Sequence, residues 1–449
     1  MKAIELLEKS AKETMVKNAV ALLSKSPEEN FEKLFDLVEK AIGKDEENLK
    51  KVQVVRDVYH NNEATHKYII DMLKETDKKC LQTFFSNFLA NNIWYGIPKR
   101  DKLAAEKGLN TPFVILISPS MRCNLKCTGC YASSYSKEED IPYEELERIV
   151  SEARDLGLYF FIILGGEPFF RYDLLKLYEK FNDCIFVPFT NGTLFDEKLS
   201  DKLVKLANVV PMFSLEGFEK DTDARRGKGV FQKVMKGMEL LKERGVMFGV
   251  STAVSKNNID TVVSDSFIDM LVEKGSRISW YFIFMPVGKN PEVNLMLSPK
   301  QRIHLGERVG QIRANKPYFA IDFFNDAPYV GGCIAGKEYC HINSKEELEP
   351  CIFSHFSAEN LKNKSFIEAF NSDFFKEIRS RQPYNNNLLM PCMMIDNTNQ
   401  IREIVAKTGA KPTDEGGRKM IEDKEFQKKL DEIANDFFYE ADKAWKNFK

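Results

Sequence analysis

From about residue 111, short apolar runs alternate with longer amphipathic segments, and this rhythm limits the fold more than any other feature of the chain. The runs are "FVILIS" from Phe113, "YFFIIL" from Tyr159, "CIFVPFT" from Cys184, "VVPMFSL" from Val209, "VMFGVSTAV" from Val246 and "ISWYFIFMPVG" from Ile278. Segments such as "YEELERIVSEARDLG" and "VFQKVMKGMELLKERG" separate them and carry helical periodicity. Strands that alternate with helices predict an α/β fold: a parallel sheet with right-handed crossovers, open or curled into a partial (β/α)6 barrel over residues 109–318. In such a sheet the loops after the strand C-termini carry the chemistry.

Flanking segments differ in kind. Residues 1–108 read as a helical domain, with Ser26 and Pro27 opening "SPEENFEKLFDLVEKAI" and a second amphipathic stretch, "CLQTFFSNFLANNIWYGIP", expected to close at Gly96 and Pro98. Past 318 the alternation fades and four cysteines appear, which marks 319–400 as a small Cys-rich domain. Residues 401–449 form a helical end, in which Phe426, Leu430, Ile433, Phe437 and Trp445 fit one docking stripe. Lys plus Arg (65) nearly balances Asp plus Glu (67), so no global field recruits nucleic acid. The longest apolar runs fall far short of the roughly 18 residues that span a bilayer, and the charged N-terminus lacks the apolar core of a signal peptide. A cytoplasmic protein is expected, in which clustered thiols serve metal or redox work.

"MRCNLKCTGCY", Met121 to Tyr131, places Cys123, Cys127 and Cys130 on the loop after the first strand. Three thiolates on so short a loop can ligate three irons of a cubane and leave the fourth open. A zinc knuckle closed from elsewhere in the chain is the alternative, although no fourth Cys or His lies nearby. This Cys-x3-Cys-x2-Cys loop followed by Tyr131 resembles the signature of the radical S-adenosylmethionine (radical SAM) enzymes. The resemblance implies a [4Fe–4S] cluster whose open iron takes S-adenosylmethionine. One-electron cleavage would then give a 5'-deoxyadenosyl radical that abstracts hydrogen from an unactivated C–H bond, with a reducing partner such as flavodoxin or ferredoxin.

The other strand ends support the resemblance. "LGGEP" offers Gly165 and Gly166 for close backbone approach and Glu167 as an acceptor for a cation, similar to the family motif that receives the methionine amino group. "TNGT" contributes Asn191, a turn signal by itself. "SLEG" sets Ser214 and Glu216 on one face by strand alternation, where similar enzymes approach the ribose and methionine parts of the cofactor. Arg226, or its neighbour Arg225, would pair with the methionine carboxylate as a fork, or else make surface ion pairs. Ser251 is a further polar cofactor contact, while "YFIFMPVG" suits either adenine or barrel core.

"GGCIAGKEYCHINSKEELEPCIFSHF" and "LLMPCMMID" hold the second cysteine set. The pattern resembles the SPASM or twitch extension of some radical SAM enzymes, and its cysteine count permits one auxiliary iron–sulfur cluster on Cys333, Cys351 and Cys392. Cys340 would be a fourth ligand or a buried thiol, and His355 another candidate ligand; a zinc ribbon is the bland alternative. Cys80 and Cys184 read as inert core residues. No catalytic acid, base or radical-quenching residue is legible. SPASM-like relatives make a peptide or protein the default substrate. The Phe-rich "FFSNFLANNIWYGIP" keeps a lipid acyl chain and peripheral membrane contact open, and a small metabolite stands behind both. A non-catalytic iron–sulfur or zinc scaffold is the reading of another class, and it leaves Glu167, Ser214 and Glu216 without a use.

Overall fold

Six parallel strands form in the expected order in the computed structural model, which describes residues 2–42, 46–133, 135–136, 138–288 and 291–448. They are β1 (Val114–Ile117), β2 (Phe160–Ile163), β3 (Ile185–Thr190), β4 (Met212–Ser214), β5 (Gly249–Val254) and β6 (Ile278–Ile283), each paired to the next. Crossover helices follow the amphipathic segments; that at Tyr143–Asp155, for example, buries Leu146, Ile149, Val150 and Ala153 against the sheet. Such a stripe is what a helix needs to cover one face of a parallel sheet.

The sheet is larger than the sequence rhythm suggested. Strand β7 (Phe319–Asp322) pairs in parallel with β6, and β8 (Tyr339–Ile342) pairs in parallel with β1, followed by antiparallel β9 (Leu348–Glu349). Both edges of the six-stranded partial barrel are therefore covered by chain from beyond residue 318. The Cys-rich segment grows out of the barrel sheet instead of sitting apart from it. A four-residue strand that borrows its ladder from a distant partner leaves little local signal.

Helices make up most of the described residues before β1, and those from Lys78 onward lie against the N-terminal ends of the strands. Helix Lys78–Phe85 runs through a π-helical stretch, Ser86–Tyr95, directly into helix Gly96–Lys107. Closure at Gly96 and Pro98 does not occur. A Cβ on Gly96 would lie 2.3 Å from the Gly157 carbonyl oxygen, so this glycine marks a close approach; the helix ends at Gly108, with φ of 64°. Three buried asparagines fasten the stretch to the barrel. Asn87 donates to the carbonyls of Asn182 (2.9 Å) and Cys184 (3.0 Å), Asn91 donates to that of Asp183 (3.0 Å), and Asn92 accepts from the Tyr159 amide (3.0 Å).

The Phe-rich segment points the same way. Phe88 stacks with Phe84 at 5.8 Å and meets Phe160 at 5.8 Å, edge to face, beneath the barrel. These rings do not form the outward apolar groove that a membrane-facing annex would need. Among the described residues no helix is long and apolar enough to cross a membrane. The last helix, Lys424–Phe448, docks through Phe426, Leu430 and Phe437, with the Arg302 guanidinium 4.0 Å above the Phe437 ring.

Candidate active site: two cysteine sets on one cavity

Loops at the strand C-termini surround a cavity of about 450 Å³, and both cysteine sets open onto it: Cys123, Cys127 and Cys130 from the first, Cys333, Cys351 and Cys392 from the second. Tyr131, Gly165, Gly166, Asn191, Ser214, Arg226 and Ser251 also line it, as does Arg225. Residues scattered over 270 positions of sequence thus share one wall because parallel strands bring their C-terminal ends together.

Local contacts fix the first loop against its neighbours. The Gly166 amide donates to the Ser120 carbonyl at 2.9 Å and the Glu167 amide to that of Arg122 at 2.8 Å. A Cβ on Gly166 would sit 2.0 Å from the Arg122 carbonyl oxygen, which is backbone and has nowhere to go. Gly166→Ala is therefore expected to push the cysteine loop off the second strand's loop. The cost should be about 1–3 kcal/mol, typical of overpacking, read as a lower denaturant midpoint; an unchanged midpoint would deny the close approach.

Polar groups surround the three sulfurs. The Cys123 sulfur accepts from the Leu125 amide at 3.4 Å and the Asn191 side-chain amide at 3.6 Å, and Asn191 also donates to Asn124 Oδ1 at 2.8 Å. An Arg226 Nη atom lies 4.0 Å from the Cys127 sulfur. Burial pushes the Cys127 thiol up, while Arg226 and Arg225 pull it the other way. The Tyr131 hydroxyl reaches the Gly165 carbonyl at 3.3 Å. Ser214 and Ser251 pair across β4 and β5.

Both acidic candidates stand behind the wall. Glu167 is 1% exposed: Oε1 accepts from the Thr190 hydroxyl (2.8 Å) and the Phe169 amide, and Oε2 from the Asn191 amide (2.7 Å). Burial nevertheless pushes it up to about 7. Its carboxylate ties the loops after β2 and β3 together, and the expected role as acceptor for a cation does not fit this position. Glu216 lies beyond the end of β4, so strand alternation no longer governs it. Its Oε1 takes Arg225 and Arg226, both at 2.5 Å, and its buried Oε2 has no partner among the described residues. Burial raises this carboxyl, but the two guanidiniums outweigh it and hold the group below its ordinary range. Glu216 thus presents both arginines to the cavity without facing it.

In the second set, Cys351 accepts from the Tyr339 hydroxyl at 2.9 Å and the Phe353 amide at 3.4 Å, and Cys392 accepts from the Met394 amide at 3.3 Å. Cys340 does not join them. It alternates with Tyr339 and His341 along β8, is fully buried and does not line the cavity, so its thiol is a core group on the opposite face. His355 is also withdrawn: one ring nitrogen meets Asp414 at 2.8 Å and the other the Ile352 carbonyl at 2.9 Å. Cys80 and Cys184 are buried away from both sets.

Sequence reasoning missed the aromatic walls. Phe189, Trp280, Phe282, Phe323, Phe324, Phe353 and Tyr339 line the same cavity, with Phe282 5.0 Å from Phe323 and Tyr131 6.3 Å from Phe353. Strand alternation in "ISWYFI" could have found two of them, because Trp280 and Phe282 face inward while Tyr281 is buried on the other side.

Among the described residues no three His, Cys, Asp or Glu side chains converge as they would on a single metal ion. The thiolates of a cubane each take a different iron and stand further apart. The groups present suit such a cluster with a zwitterionic cofactor: three sulfurs, donors to sulfur, two guanidiniums, and the unpartnered Oε2 of Glu216 behind them.

Residues 117–264 match the model of the radical SAM superfamily. The AdoMet-dependent heme synthase of Methanosarcina barkeri is 25% identical over 301 residues, 60% of this chain and 85% of that protein. Mycofactocin maturase MftC of Mycolicibacterium smegmatis is 26% identical over 62% of this chain and 75% of its own. Among solved structures, SuiB of Streptococcus suis, bound to S-adenosylmethionine, superposes with a TM-score of 0.55 at 19% identity, covering 74% of this chain and 87% of SuiB. AdoMet-bound anSMEcpe gives 0.52 at 19%, covering 75% and 98%. Residues 117–264 thus form a radical SAM domain, and the chain is an enzyme that uses a [4Fe–4S] cluster and S-adenosylmethionine.

Proposed function

We propose that Cys123, Cys127 and Cys130 hold the [4Fe–4S] cluster that takes S-adenosylmethionine, and that Cys333, Cys351 and Cys392 hold the auxiliary cluster. One observation carries this reading: the two sets open onto the same aromatic-walled cavity. The bound cofactors supply one-electron cleavage of a sulfonium and hydrogen abstraction from a C–H bond. The chain's own groups do the rest. Arg225 and Arg226, clamped by Glu216, offer forks for a carboxylate. Asn191, Ser214 and Ser251 supply polar contacts on the same wall. The rings of Phe282, Phe323, Phe324 and Phe353 exclude water and would admit an apolar part of the substrate. With Cys340 turned away, His355 committed, and Asp396 held by Arg302 at 2.5 and 2.9 Å, the second set offers three protein ligands.

The substrate is proposed to be a peptide or protein that inserts an apolar side chain between the two centres. The likeness to a mycofactocin maturase supports this. An iron porphyrin is the competing reading, favoured by the heme synthase relative and by the flat aromatic walls. The acyl-chain reading loses its main support, because the Phe-rich segment packs beneath the barrel.

Anaerobic purification followed by mass spectrometry of co-purifying ligands separates these substrates. A bound peptide whose deuterated side chain passes deuterium into 5'-deoxyadenosine would establish the first reading. A co-purifying porphyrin with a Soret band, consumed on turnover, would replace it.

A further inference from the structure

We propose that the Tyr339 hydroxyl donates to the sulfur of Cys351 and thereby raises the reduction potential of the auxiliary centre. The inference rests on the assignment of Cys333, Cys351 and Cys392 to that centre. Each sulfur of this set accepts from an amide two residues further on: Ala335 for Cys333, Phe353 for Cys351 and Met394 for Cys392. Those contacts follow from the loop backbone and would survive most side-chain changes. Cys351 differs, because a side-chain hydroxyl reaches it as well, at 2.9 Å.

The tyrosine is placed for this contact by the fold. Strand β8 pairs with β1 and turns Tyr339 toward the cavity, while Cys340 faces away. Its ring packs on Phe323 at 5.7 Å and is 4% exposed. Within the described hydrogen bonds the hydroxyl has no partner but the Cys351 sulfur. A buried phenol with one available acceptor is held to that acceptor, since leaving it unpaired costs about 1–3 kcal/mol.

Donors to cluster sulfurs are one of the protein's levers on potential. Reduction adds negative charge to the thiolates, an O–H dipole aimed at one of them stabilises the reduced form more than the oxidised, and the potential rises. A higher potential favours uptake of an electron at this centre over its release. Tyr339 is in this sense a positioning residue: it acts through Cys351.

Redox-titrated electron paramagnetic resonance of the holoenzyme tests the inference, with the auxiliary signal identified as the one that persists in Cys127→Ala. Tyr339→Phe keeps the ring and removes only the donor. The expected result is full iron content with an auxiliary midpoint shifted to more negative potential. An unchanged midpoint at full iron content overturns the inference alone. Loss of auxiliary iron in Tyr339→Phe also overturns it, because the hydroxyl would then be needed to hold the cluster. Absence of any second cluster in the unaltered protein removes the assignment beneath it, and this inference with it.

Discussion

Replacing Cys127 with Ala is expected to leave the protein folded, to remove roughly four irons per chain, and to reduce formation of 5'-deoxyadenosine to background. The thiol is half-buried on a loop at the cavity's edge and packs in no part of the hydrophobic core. Its loss therefore spares the barrel. The remaining pair, Cys123 and Cys130, would leave two irons open to water and oxidant, and a cluster held by two thiolates does not persist. Iron and sulfide analysis with an assay of S-adenosylmethionine cleavage checks the result. Undiminished cleavage in Cys127→Ala would refute the assignment of the loop.

The opposite pattern is expected of Cys351→Ala. Iron should again fall by about four per chain, yet slow cleavage of S-adenosylmethionine without substrate turnover should continue, while product formation stops. The reasoning is spatial. The Cys351 sulfur is held by Tyr339 and Phe353, not by the Gly165–Gly166 turn or the arginine pair. Unaltered iron stoichiometry would count against an auxiliary centre. Loss of cleavage as sharp as in Cys127→Ala would show that the two sets do not hold separate clusters.

The central sheet was legible in the sequence because its strands fall in short, mostly apolar runs that alternate with amphipathic helical segments. The loop cysteines were legible because three thiols within eight positions have few uses. Less legible were residues whose roles depend on partners far away in sequence. Glu167 looked like a free acceptor, but a carboxylate sealed by Thr190, Asn191 and Phe169 braces two loops. Asn87, Asn91 and Asn92 looked unremarkable beside the phenylalanines, yet these asparagines fasten the helices to the barrel floor.

Cys340 shows where more could have been read. Strand alternation applied to "YCHI" separates Cys340 from Tyr339 and His341, and so from the cavity. That β8 would add to β1 was not readable, because its pairing partner lies more than 200 residues upstream. Closure of both sheet edges by the Cys-rich segment follows from such pairings, and with it the meeting of the two cysteine sets.

The most direct test of the whole account is electron paramagnetic resonance of reduced, anaerobically reconstituted Cys351→Ala, recorded with and without S-adenosylmethionine. An iron with an open position in the Cys123, Cys127 and Cys130 set predicts that the spectrum changes when the cofactor is added, because the cofactor completes that iron's coordination. Identical spectra in the two samples, from protein carrying a full cluster, would contradict it.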